Sequence, residues 1–294
     1  MGVSPRMNSL PRLKAGLILL VGAVSVSGCA SIISSAASNF ADNLSTAVLN
    51  QTDPETVQDG APAYLLLVDS LLEGSPDNPS LLAVASQLYA SYGAIFAHDP
   101  ERAKRLTERA RTYATKGLCE AYKPSCGWRG LPFEEYEKSL AGLRPRQSES
   151  VYAYGVSSLA YIRAHSDDWN ALAELPHIEA LLNRYLQIGD PESPGSVYMY
   201  LGILATLRPP ALGGEPEKGR KYFEQAIEVT HGVDLAAKVE YARGYARLMY
   251  DRELHDKLLG EVLAADPVVS GYTLTNVMAQ RDATALLASA DDYF

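Results

Sequence analysis

Pro209–Val229 reads PPALGGEPEKGRKYFEQAIEV, a stretch that ends one helix and begins another. Pro209, Pro210 and the Gly213-Gly214 pair stop the first helix. Glu215-Pro216 opens the second, with proline at the first helical position, where its missing N–H costs nothing. Gly219, Phe223 and Ala226 then fall at small, aromatic and small positions of the second helix of a packed pair. The glycine spacing of Gly214 and Gly219 imitates a phosphate-binding loop. Arg220 stands where that loop needs lysine, Lys221 where it needs Ser or Thr, Pro216 removes an amide, and no apolar strand precedes it. Nucleotide binding is therefore set aside.

Reading outward, the same punctuation recurs. Asp53-Pro54, Asn78-Pro79, Asp99-Pro100, Ser193-Pro194 and Asp266-Pro267 each place a capping side chain before proline and predict helix starts. Between them apolar residues keep helical spacing, as in Ile33, Ala37, Phe40, Leu44 and Val48, or Leu82, Ala85, Leu88, Tyr89, Tyr92 and Phe96. Strict alternation is absent, so about a dozen helices are expected. Asp99 to Ala103, with Thr107 and Ala110, aligns with Glu215 to Gly219, with Phe223 and Ala226. Val239 to Tyr250 and Glu253 to Ala264 form a third pair. The segments Ser148 to His165 and Trp169 to Ile188 are helical but lack this signature. The expected fold is all-α: a helical-repeat array of degenerate tetratricopeptide-like αα-hairpins with additional irregular helices, set against an unspecific helical bundle. Such repeats bind partners and ligands.

The N-terminus points to a compartment. Arg6, Arg12 and Lys14 precede an apolar run from Ala15 to Val26, too short to span a membrane, closed by Ser27-Gly28-Cys29. This is the order of a lipoprotein signal peptide over residues 1–28, with Cys29 as the lipidated mature N-terminus; an ordinary secretory signal with an incidental cysteine is the alternative. Met7 is an alternative start. Residues 29–294 then form a single tetratricopeptide-like domain. Ala30, not aspartate, follows the cysteine, which favours the outer membrane under the enterobacterial sorting rule.

The mature chain carries 23 basic against 35 acidic residues, which disfavours nucleic acid as a partner. No polybasic run adds electrostatic membrane binding. Cys119 and Cys126 remain as one even pair across a turn containing Pro124, and an oxidising compartment makes a disulfide the default over two free thiols. With no histidine near the pair, a zinc site is disfavoured.

Catalytic chemistry is not evident. His98, His165, His177, His231 and His255 are scattered, without an H-E-x-x-H or a G-x-S-x-G motif. Glu134-Glu135 and Asp167-Asp168 sit where helices begin, and Asp291-Asp292 reads as a solvated helix end, so caps and dipoles explain them. No enzyme activity and no cofactor are expected. The 18 tyrosines against five phenylalanines favour binding, since tyrosine joins an apolar face to a polar end. If Gly155, Gly202 and Gly244 hold the tight-contact positions of their helices, Tyr152, Val156, Met199, Ile203, Tyr241 and Tyr245 face the inside of the curve as ligand or partner contacts. The competing reading places them in the core between helix layers.

The runs Asp59-Gly-Ala-Pro-Ala-Tyr-Leu-Leu-Leu67, Ser75-Pro-Asp-Asn-Pro79 and Asp99-Pro-Glu-Arg-Ala-Lys-Arg-Leu106 resemble the TatT family of TRAP-transporter-associated lipoproteins. So do Leu175-Pro-His-Ile-Glu-Ala-Leu181, Leu212-Gly213-Gly214, Met278-Ala-Gln-Arg281 and Asp291-Asp-Tyr-Phe294. The resemblance implies a periplasmic, lipid-anchored helical-repeat protein, trimeric around a central pore with apolar clefts. It further implies association with the solute-binding protein of a tripartite ATP-independent periplasmic transporter and a hydrophobic small-molecule ligand. It supplies no short motif from which contact residues transfer. The alternative function is a scaffold lipoprotein of an envelope assembly complex.

Overall fold

The computed structural model describes residues 1–2, 43–189 and 194–294. The chain divides into two compact units, Met1–Leu49 and Asn50–Phe294. In the first, residues 43–49 are helical. Beyond residue 2, the expected signal peptide lies outside the described residues, as do Cys29 and Ile33, Ala37 and Phe40 of the apolar stripe.

The second unit is helical, with no strand among the described residues. Its first three helices are α1 (Pro54–Gly74), α2 (Pro79–Ile95) and α3 (Pro100–Ala121). Each begins at one of the predicted capping steps. The Asp53 carboxylate accepts from the Glu55 amide at 3.2 Å, Asn78 from Ser80 and Leu81 at 3.0 and 3.2 Å, and Asp99 from Glu101 and Arg102 at 3.3 and 3.1 Å. Each such cap stabilises its helix by about 1 kcal/mol.

Then come α4 (Phe133–Leu140), α5 (Ser148–Ala164), α6 (Trp169–Leu172) and α7 (Leu175–Ile188). The expected single helix from Trp169 to Ile188 is thus broken in two. Pro176 is the cause: inside a continuous helix its ring would collide with the carbonyl of Leu172, whereas in the first turn of α7 it is harmless. The hairpin announced by the opening stretch is α8 (Pro194–Thr206) and α9 (Pro216–Val229). Glu215 makes no side-chain cap at α9 and pairs with Lys218 at 3.3 Å instead. Ser193 lies outside the described residues.

The chain continues as α10 (Leu235–Glu240), which runs on into a π-helical stretch at Tyr241–Ala246, then α11 (Arg252–Ala264), α12 (Thr273–Ala288) and α13 (Ala290–Tyr293). The Asp266-Pro267 step starts no helix. The Asp266 carboxylate accepts from the Val268 amide at 2.9 Å, which builds a turn, and α12 begins only after Gly271, whose φ of +81° reverses the chain.

Antiparallel helix pairs pack in succession: α2 with α3, α5 across both, α7 against α5, α8 with α9, and α10 with α11 and α12. Thr107 and Ala110 in α3, and Phe223 and Ala226 in α9, which the repeat alignment made equivalent, are all 0% exposed. The larger core runs from α3 to α12, and a smaller one lies under α1, α2 and α3 with Ala160 of α5. The helix α1 touches α12 as well as α2. Arg281 grips Glu55 with its two terminal guanidinium nitrogens, and the Gly271 amide donates to Asn50 at 2.8 Å. The two ends of this unit are thereby held together.

Candidate functional site

The three glycines proposed as tight-contact positions are closely packed. A Cβ at Gly155 would lie 2.6 Å from Leu182 Cδ2, at Gly202 2.7 Å from Phe223 Cε1, and at Gly244 2.6 Å from Thr206 Oγ1. The residues flanking them do not converge on one surface. Tyr152 stacks obliquely on Tyr185 at 5.5 Å and shares a hydrogen bond with Tyr200, joining α5 to α8; burial pushes both phenols up. Val156 and Met199 are half-buried, and Met199 packs on the main core. Ile203 is buried in that core.

Tyr241 and Tyr245 turn the other way, towards α9. The Tyr241 ring stacks on Phe223 at 5.4 Å and its hydroxyl donates to Glu224 at 3.4 Å, while the Tyr245 hydroxyl donates to Glu217 at 2.8 Å. The π-helical turn between them sends Arg243 to the opposite side, where it pairs with Glu240 and Asp282, and Arg163 reaches Glu240 at 3.6 Å. Ion pairs thus bridge α5, α10 and α12. Because Ile203, Tyr241 and Tyr245 are each buried, a charge placed at any of them would test folding before ligand binding.

A concavity lies elsewhere, a cavity of about 540 Å³ between α3, α5, α7, the start of α4 and the turn after α3. That volume falls within the range of small-molecule sites. Cys119 near the end of α3 and Cys126 in the following turn are joined by a disulfide with Cα atoms 4.6 Å apart. So small a loop constrains the unfolded chain by about 2–3 kcal/mol in the entropy model. It also fixes the turn that delivers Trp128.

Trp128 is 5% exposed and stands at the centre of an aromatic group: Tyr136 at 5.0 Å, Tyr122 at 6.0 Å and Tyr154 at 6.4 Å. Tyr136 donates its hydroxyl to the His177 carbonyl at 2.9 Å and packs edge-on against the His177 ring. On the facing wall the Arg111 guanidinium lies 4.4 Å over the Tyr161 ring and pairs with Glu174. Burial works against the Arg111 charge, but its hydrogen bond and attraction to Glu174 prevail and hold its pKa above the ordinary value.

Two buried polar atoms on the Trp128 side of the cavity have no protein partner, the Trp128 indole Nε1 and His177 Nδ1. A buried polar atom left so costs about 1–3 kcal/mol. A second, more polar concavity of about 460 Å³ runs along α4 and α7 to Lys218, which pairs with Glu179. His255, one of the five scattered histidines, is fully buried, with Nδ1 2.9 Å from Asp256 and its ring against Phe294.

Of the cavity residues the sequence singled out Cys119 and Cys126 as a pair, and His177 and Ile178 only within the run Leu175–Leu181, His177 also as one of five scattered histidines. Arg111, Trp128, Tyr154 and Glu174 come from four separate segments. One signal was available: a tryptophan two residues after a disulfide-bonded turn is a large amphipathic ring held in place by a covalent constraint.

No three His, Cys, Asp or Glu side chains gather as a metal site among the described residues, and no helix there is long and apolar enough to cross a membrane. A family model described as TRAP transporter T-component matches residues 50–294, the span of the second compact unit. No curated protein matches the chain.

Proposed function

The chain belongs to the TRAP transporter T-component family and so has an accessory role in TRAP transport; from that premise we propose that it is a lipid-anchored periplasmic protein that docks on the transporter's solute-binding protein and assists uptake of a small molecule. The observation that carries this reading is the match over residues 50–294, which takes in every helix from α1 to α13. The site adds its own support. A cavity of small-molecule size lies beside side chains whose visible roles are packing and ion pairing. Nothing in that arrangement builds a nucleophile with its base, so binding without catalysis is the function proposed.

Self-association belongs to the same proposal. Leu66, Leu67 and Leu71 on α1, with Val84, Leu88 and Ile95 on α2, are exposed large apolar residues concentrated on two neighbouring helices. A second copy of the chain covering them in a homotrimer removes that surface from water.

The direct test mixes the full chain with its cognate solute-binding protein and measures association by co-purification and calorimetry. A complex with a dissociation constant in the micromolar range or tighter is expected. Silence at concentrations well above micromolar, with both proteins folded, transfers preference to an envelope scaffold. Anchoring has its own check: Cys29→Ser should move the protein from the membrane to the soluble periplasmic fraction, and a variant that stays on the membrane through a salt wash overturns the lipid anchor.

A further inference from the structure

Taking from the accessory-transport reading only the premise that this domain holds a small molecule, we infer that the cavity between α3, α5, α7 and the disulfide-bonded turn binds a small aromatic anion. The shape of the wall sets the body of the ligand. Trp128, Tyr136, Tyr154 and Tyr161 all line the cavity, and aromatic faces and edges at several orientations accept a planar ring better than a flexible chain.

Charge permits an anion. Arg111, Lys116 and Arg129 line the cavity with Glu108 and Glu174, and with Asp77 on Lys116 the local charges balance in a chain whose net charge is −9. Lys116 is engaged with Asp77 at 2.9 Å, whereas Arg129 is exposed and has no ion-pair partner among the described residues. Arg129 is thus the cation available to an anionic head group.

Hydrogen bonding sets the head group. The Trp128 indole N–H can only donate, and it lacks an acceptor although its residue is 5% exposed. Arg111 has five N–H donors, which serve the Glu174 carboxylate and the Tyr154 hydroxyl and leave donors over for a further oxygen. A purely apolar ligand would leave the indole N–H as it is and strip more water from the Arg111–Glu174 pair. An oxygen anion on an aromatic ring answers both features.

The test is calorimetric titration of the full chain with 2-naphthoate and with the neutral 2-naphthylmethanol. One naphthoate per chain is expected, with the alcohol about tenfold weaker, the ratio of a charge-assisted to a neutral hydrogen bond. Trp128→Phe keeps the ring, loses the donor and should weaken naphthoate about fivefold. Glu174→Gln keeps the shape, removes the competing carboxylate and should tighten naphthoate several-fold and widen its lead over the alcohol.

Equal affinity for acid and alcohol overturns the inference, as does a Glu174→Gln variant that binds naphthoate no better than the parent. The second variant keeps the test decisive if Trp128→Phe loosens the aromatic group. The two readings fail separately. Naphthoate binding without a complex with the solute-binding protein sinks only the transport partnership, and a complex without anion selectivity sinks only this site.

Discussion

Replacing Phe223 with alanine is expected to lower the unfolding free energy of the domain by about 3–5 kcal/mol, the cost of deleting a buried aromatic ring and leaving its cavity. Phe223 is 0% exposed, and its ring is the contact between three helices. It faces Gly202 of α8, where a Cβ would come within 2.7 Å, stacks on Tyr241 after α10 at 5.4 Å, and lies 3.7 Å from where a Cβ of Gly244 would stand. Gly202 and Gly244 border the ring and carry no side chain that could extend into the hole. Phe223→Leu, which keeps most of the volume, should cost about 1 kcal/mol. Urea unfolding followed by far-ultraviolet dichroism measures both. A loss under 1 kcal/mol for the alanine variant contradicts the packing described here.

The second large effect is expected at Gly214, where alanine should destabilise the domain by about 2–3 kcal/mol through backbone collision. The loop between α8 and α9 folds back on itself. The Gly214 amide donates to the Pro209 carbonyl at 3.1 Å and the Glu215 amide to the Ala205 carbonyl at 2.9 Å. A Cβ on Gly214 would stand 1.7 Å from the Arg208 carbonyl oxygen and 2.6 Å from its carbon. These are backbone atoms, so no rotamer change relieves the overlap. The loop must open, and the bond from Glu215 to Ala205 that ties the start of α9 to the end of α8 is the first to go. Gly213→Ala is the comparison. Its φ of +82° strains any side chain, but the nearest atom to its Cβ is 4.0 Å away, so about 1 kcal/mol is expected. A Gly214→Ala variant as stable as the parent shows that this loop yields where the structure holds it tight.

Much of the fold was legible because its signals are local. Asp53, Asn78 and Asp99 cap their helices through bonds to amides two or three residues on, a distance that depends on nothing else in the molecule. The repeat alignment was equally sound for Thr107, Ala110, Phe223 and Ala226, since a small or aromatic residue at that place answers to the adjoining helix. Asp266-Pro267 carried the same local signal and served a turn, because an Asx bond to Val268 competes with helix nucleation and the sequence does not say which prevails.

The site was far less legible. Gly155, Gly202 and Gly244 are in tight contact, yet Tyr152 and Met199 end up with α5 and α8 while Tyr241 and Tyr245 face α9. A helical stripe tells which residues share a side, not which neighbour that side meets. The π-helical turn at Tyr241–Ala246 adds a displacement that a regular helical count cannot anticipate.

By itself, then, the sequence determined the all-α class, most helix starts, the hairpin of α8 and α9 and the family, all of which rest on residues close together in the chain or on long matching runs. Only the tertiary structure decided that α1 returns to α12 through Glu55 and Arg281, and that Arg111, Trp128, Glu174 and His177 share one cavity. The physical reason is common to both. Caps and turns are set by bond geometry over a few residues, whereas a cavity is what remains between helices after they have packed, and its lining depends on every crossing at once.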